Sequence, residues 1–179
     1  MYVNNKKIKN LLIISKKIFF SSKSSFTRFN LYLLMINICF GFTLTNLYAV
    51  STALTWGTFI SFHSAILLDP TSFYRIAEKK KLTIINFHII NFAIHILPCI
   101  ITLIWTVKIL LIHGIIASIL HISWGMWQSH GTLVLDDIYV PLPRATWCWL
   151  WLLAVLTELS IPIIIQYFPV SSAALTIYF

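Results

Sequence analysis

Charge is what this chain of 179 residues mostly lacks. Only 10% of its residues are charged, against about a quarter in an ordinary soluble domain. Acidic residues are rarer still, five against thirteen basic ones. None of either sign falls between Asn30 and Leu68. Cysteine is limited to Cys39, Cys99 and Cys148, an odd set scattered in apolar runs with no CxxC pair. That excludes a disulfide framework or a thiolate metal site and reads as buried thiols. No HExxH, HxxxH or HxxHH box occurs, which removes the usual signatures of helical histidine metal centres, so no metal or cofactor is expected. There is no internal repeat, and the two halves do not mirror one another, unlike an inverted-repeat transporter.

Apolar sequence fills the space that charge leaves. Hydrophobic residues make up 59% and mean hydropathy is +0.86, values that predict an integral membrane protein. The fold class expected is all-α, a polytopic transmembrane helical bundle. Five spans are predicted at about 29–48, 51–68, 82–104, 109–127 and 146–168, from apolar runs near the length that crosses a bilayer. The uncharged stretch from Asn30 to Leu68 is long enough for two spans, with a turn near Thr45-Asn46 or Ser51-Thr52. Trp147, Trp149 and Trp151 form an aromatic belt at the start of the last span.

The net charge of +8 points to a membrane surface and not to nucleic acid, because Lys and Arg sit at the ends of the apolar runs. With the N-terminus inside, twelve of the thirteen basic residues lie inside and only Lys108 lies outside, a strong positive-inside bias. Residues 1–28 are a basic segment free of acid. They read as an interfacial or vestigial first helix, or as a mitochondrial presequence. A secretory signal ranks last, because Lys16-Lys17 interrupts its apolar region. The partners expected are the lipid bilayer and a lipid substrate. The sequence says nothing of oligomeric state.

Polar groups inside the spans ask for a reason, since burying them in hydrocarbon is costly unless they find partners or line a wet cavity. The richest run is Asn86 to Pro98, where His88, Asn91 and His95 fall at i, i+3 and i+7, one face of a helix. The fourth span places His113, Ala117, His121, Trp124 and Gln128 on one face, and Glu158 lies mid-way along the fifth. Two explanations compete. Interhelical hydrogen bonds knit membrane bundles at about 0.6 kcal/mol each, which would make this a structural subunit. Alternatively, a histidine in a lipid-accessible cavity serves as base to a hydroxyl or thiol nucleophile, giving a hydrolase or a phospholipid acyltransferase.

Three motifs in order favour the chemical explanation: Phe26-Thr27-Arg28-Phe29-Asn30-Leu31; then Asn91-x-x-x-His95 with Leu97-Pro98; then Trp124-x-x-Trp127-x-x-His130 with Tyr139-Val140-Pro141-Leu142. From about residue 26 to 165 the chain resembles the androgen-induced-gene family, which includes androgen-dependent TFPI-regulating proteins. The resemblance implies a multi-pass hydrolase of fatty acid esters of hydroxy fatty acids, sited in the endoplasmic reticulum, with the mitochondrial inner membrane as the alternative. By position it carries the threonine nucleophile onto Thr27 and its histidine partner onto His95, with Asn91 and His130 in support. Thr55, Thr58 and Cys99 are substitute nucleophiles, and Thr27 also suits a helix N-cap. One geometric tension follows. With spans as drawn, His95 lies roughly 20 Å deep at 1.5 Å per residue, whereas Thr27 falls at the inner edge.

Overall fold

The computed structural model describes residues 26–41, 44–105, 107–136 and 141–167. Residues 1–25 of the basic N-terminal segment, Tyr139-Val140 of the third motif and the tail from 168 onward lie outside the described residues. Every regular element among the described residues is helical: α1 (Phe26–Cys39), α2 (Thr45–Leu68), α3 (Thr71–Lys79), α4 (Ile84–Asn91), a π turn (Phe92–Ile96), α5 (Leu97–Ile104), α6 (Leu111–Gln128) and α7 (Arg144–Tyr167). Helix α2 is central, packing most extensively on α7 and also on α1 and α6.

Two helical stretches are long and apolar enough to cross a membrane, Ile84–Ile104 with 21 residues and Arg144–Ile165 with 22. This is fewer than the five expected. Helix α1 has only 14 residues. Helices α2 and α6 dilute their apolar content with hydroxyls, histidines and glycines on packed faces. The first turn also falls earlier than predicted, beginning at Phe40-Gly41, where Gly41 adopts φ +58°. The residues expected to turn, Thr45-Asn46 and Ser51-Thr52, instead lie inside α2. Large apolar side chains point outward along the bundle, among them Ile85, Ile89, Leu103, Ile115, Ile119, Trp149 and Leu156. Cys99 is buried, but Cys39 and Cys148 lie on that outward surface rather than in the interior.

Serine and threonine are tolerated inside α2 because they bond to their own helix. Thr52, Thr55 and Thr58 donate to the carbonyls of Tyr48, Ser51 and Leu54 at 2.9, 2.8 and 2.7 Å, the usual i−4 pattern. Val50, Ala53 and Leu54 of α2 then meet Ala117 of α6, with Phe29 and Leu33 of α1 closing the cluster.

The polar loops are more structured than expected. The polar stretch 69–81 holds helix α3, whose Phe73, Ile76 and Ala77 pack against Phe87. Thr71 donates to Asp69, and this bond, with Arg75 alongside, keeps the Asp69 carboxyl below its ordinary pKa. Lys79 donates to the Asp136 carbonyl at 2.7 Å, tying α3 to the loop before α7.

Two of the histidines serve as helix ends. At the start of α6, His113 Nδ1 accepts from the Leu110 N–H at 3.0 Å, satisfying one of the orphan donors there. His113→Ala should therefore cost about 1 kcal/mol, read as a lowered thermal midpoint with no change in any ligand binding. At the other end, His130 holds φ 51° while Gly131 N–H reaches the Met126 carbonyl at 2.7 Å. This is a left-handed helix cap with histidine where glycine is favoured. His130→Gly should raise stability by roughly 1 kcal/mol, the strain a side chain adds in that conformation, again read by thermal midpoint.

Candidate functional site

The site is built around a break in the α4–α5 rod. Pro98 has no N–H to give the Ile94 carbonyl, and its ring crowds that carbonyl. The chain answers with a π turn over Phe92–Ile96, in which Leu97 N–H reaches back to the Phe92 carbonyl. Such turns widen a helix by one residue and favour functional sites. The wider turn also changes which residues share a face. Phe87, Asn91, His95 and Cys99, at steps of four, all point inward. His88 was expected on that face. It is instead exposed, with its ring tilted against Phe73 at 4.6 Å.

His95 is 5% exposed, and its Nδ1 has no hydrogen-bond partner among the described residues. Phe62 stacks on the ring at 4.0 Å and 9°. His63 stands edge-on at 6.0 Å, with its own Nδ1–H committed to the Phe59 carbonyl at 2.8 Å. Asn91, one turn earlier, is buried with an Oδ1 that also lacks a partner. Cys99 donates its thiol to the His95 carbonyl at 3.3 Å, so that proton is used within the helix.

His95 lines an open cavity of about 700 Å³ including its mouth. Helices α2, α6 and α7 supply most of the remaining wall, with Thr58, Ser61, His121, Trp124, Trp151 and Ala154 among the lining residues. The lower wall comes from α3 and the 135–142 loop through Ile76, Leu135 and Leu142. The lining is predominantly apolar, as in most small-molecule sites.

Thr27 is 3% exposed but is not among the residues that line the cavity. Asn30 ties its helix to α2: the amide bridges Thr55 at 2.7 Å and Ser51 at 3.1 Å, and α1 also packs against the π turn that carries His95. No hydrogen bond joins Thr27 to His95 among the described residues. Thr55 and Thr58, the substitute nucleophiles, donate their protons to α2 carbonyls. His130 is exposed at the end of α6 and is not among the cavity residues.

The pair that sequence reasoning did not join is His121 with Glu158. Its Nδ1 lies 2.6 Å from Glu158 Oε1, across the α6–α7 interface. Glu158 is 0% exposed. The available signal was Gly57 and Gly114: a methyl group at Gly57 would stand 2.5 Å from Glu158 Oε1, and one at Gly114 would strike the Glu158 backbone carbonyl. No grouping of three or more histidine, cysteine or acidic side chains suited to a metal occurs among the described residues.

Comparison with family models, curated proteins and solved structures finds no match to this chain.

Proposed function

We propose that this chain is an integral membrane lipid-ester hydrolase, acting on fatty acid esters of hydroxy fatty acids, as its resemblance to the androgen-induced-gene family implies. The observation that carries the reading is the cavity. It is apolar enough for an acyl chain, and the buried imidazole of His95 sits on its wall. In the scheme, Thr27 Oγ attacks the ester carbonyl carbon while His95 takes the hydroxyl proton. The C–O bond of the tetrahedral adduct breaks, and the proton leaves with the alcohol. The acyl group remains on Thr27 until water removes it as the free acid. Low dielectric around the ring strengthens each polar contact in the adduct.

Five membrane spans belong to the same reading. By length, α2 reaches about 36 Å and α6 about 27 Å at 1.5 Å per residue, and neither contains Asp, Glu, Lys or Arg. The endoplasmic reticulum is the membrane proposed. In sealed microsomes, Glu78→Cys should react with an impermeant maleimide from the cytosolic side. Lys108→Cys should react only after permeabilisation. Equal reaction of both in sealed vesicles would discard the five-span topology.

The activity is tested with purified protein and a fatty acid ester of a hydroxy fatty acid, with and without lysophospholipid. Release of free acid in both samples supports hydrolysis. Acyl chains appearing on the lysophospholipid identify transfer instead. Neither product would leave the histidines as ties of a structural subunit.

A further inference from the structure

Glu158 is the one fully buried carboxylate among the described residues, and the scheme above leaves it without a task. It lies midway along α7 with one oxygen on His121 and the other, Oε2, without a partner among the described residues. Room for it is made on both sides by missing side chains, at Gly57 of α2 and Gly114 of α6. Its partner His121 is held further by the edge of Trp151 at 5.1 Å and belongs to the same cavity wall as His95. The imidazole therefore stands between a carboxylate behind and the cavity in front.

Two features separate this arrangement from a simple interhelical tie. A buried carboxylate–imidazole pair is a poor stabiliser, since apolar replacements of like volume often serve as well or better. A tie also gains nothing from a second carboxylate oxygen that is buried with no side-chain or backbone partner among the described residues. Acid–base chemistry does use it. A carboxylate on Nδ1 fixes the tautomer, so proton exchange with the cavity falls to Nε2, and its charge stabilises the imidazolium that forms.

We propose that His121, positioned by Glu158, is the catalytic base for the water step that clears the acyl group. This rests on the ester-hydrolysis reading. Water bonds through oxygen to the carbonyl carbon of the Thr27 acyl ester, and His121 takes one of its protons. The bond from that carbon to Thr27 Oγ then breaks, and His121 returns the proton to Oγ. One water and one acyl-threonine become one carboxylic acid and one threonine, while Glu158 only holds the Nδ1 side of the ring. His95 serves the first half of the reaction and His121 the second. The substrate class is a long-chain acyl ester, its chain lying against Ile76, Trp147 and Leu150.

The test uses the full chain in detergent with p-nitrophenyl decanoate. Glu158→Gln keeps side-chain volume and an oxygen for the Nδ1–H, so a structural tie survives it. The expected result is an unchanged first burst of nitrophenolate, with steady-state turnover lowered about a hundredfold, KM lowered with it and kcat/KM unchanged, because acylation is untouched. The decanoyl mass should accumulate on Thr27 by intact-protein mass spectrometry. His121→Asn should behave the same way, and it decides the matter if Glu158→Gln does not fold. Wild-type turnover in folded variants would overturn the proposal. If the wild type gives neither burst nor turnover, the ester-hydrolysis reading fails, and diethyl pyrocarbonate then probes the dyad alone. Faster carbethoxylation of His121 in the wild type than in Glu158→Gln supports a reactive dyad. Equal rates overturn it.

Discussion

Thr27→Ala, His95→Ala and the double variant should lose ester turnover to the same extent, by roughly 10²–10⁴. A nucleophile without its base and a base without its nucleophile are equally idle, so removing the second partner removes nothing more. Independent contributions would instead add in free energy and multiply in rate. The physical ground is the packing of α1, which carries Thr27, against the π turn that carries His95. Folding needs a separate reading, because His95→Ala also deletes the stack on Phe62, worth about 1 kcal/mol. Thermal midpoints of the three variants supply it. Losses that multiply in stable proteins would place Thr27 and His95 in different roles, and wild-type turnover in either single variant would remove that residue from the chemistry.

The helical, apolar character of the chain was legible because charge is absent over long runs, and that absence does not depend on tertiary structure. The turn at Gly41 was misplaced for a physical reason. Thr45 and Asn46 look like turn residues, but they form the first turn of α2. Helix α3 was hidden by its own charges, although Phe73, Ile76 and Ala77 have the i, i+3, i+4 spacing of an amphipathic helix. Pro98 announced a disturbance in the α4–α5 rod but not its form. A π turn keeps His95 inward and leaves His88 outside, whereas regular 3.6-residue spacing groups them together. The docking of α1, which carries Thr27, goes with Asn30, a residue whose meaning appears only when its partners on α2 are known. Pairing His121 with Glu158 required knowing that α6 and α7 are neighbours, and the sequence hinted at that only through small residues.

Those small residues give the other large effect. A methyl group added at Gly57 meets the flexible end of Glu158, which can swing away. The swing breaks the His121 contact but leaves the helices where they are. A methyl group added at Gly114 meets the Glu158 carbonyl oxygen and the Leu159 Cα at 3.3 Å. These are backbone atoms of α7 and move only with the helix. Alanine gains about 1 kcal/mol over glycine in helix propensity, and overpacking a tight contact costs about 1–3 kcal/mol. For Gly57→Ala the two nearly offset, so the thermal midpoint should stay near the wild-type value while turnover falls. For Gly114→Ala the steric cost exceeds the gain, because no side chain absorbs it. A net loss of about 2 kcal/mol is expected, read by thermal or denaturant unfolding in detergent. The reverse order, with Gly114→Ala stable and Gly57→Ala unfolded, would mean that α6 and α7 are held apart by something other than this backbone contact. The glycines at 57 and 114 therefore separate two functions of one interface, room for the Glu158 carboxylate at the first and close approach of the α6 and α7 backbones at the second.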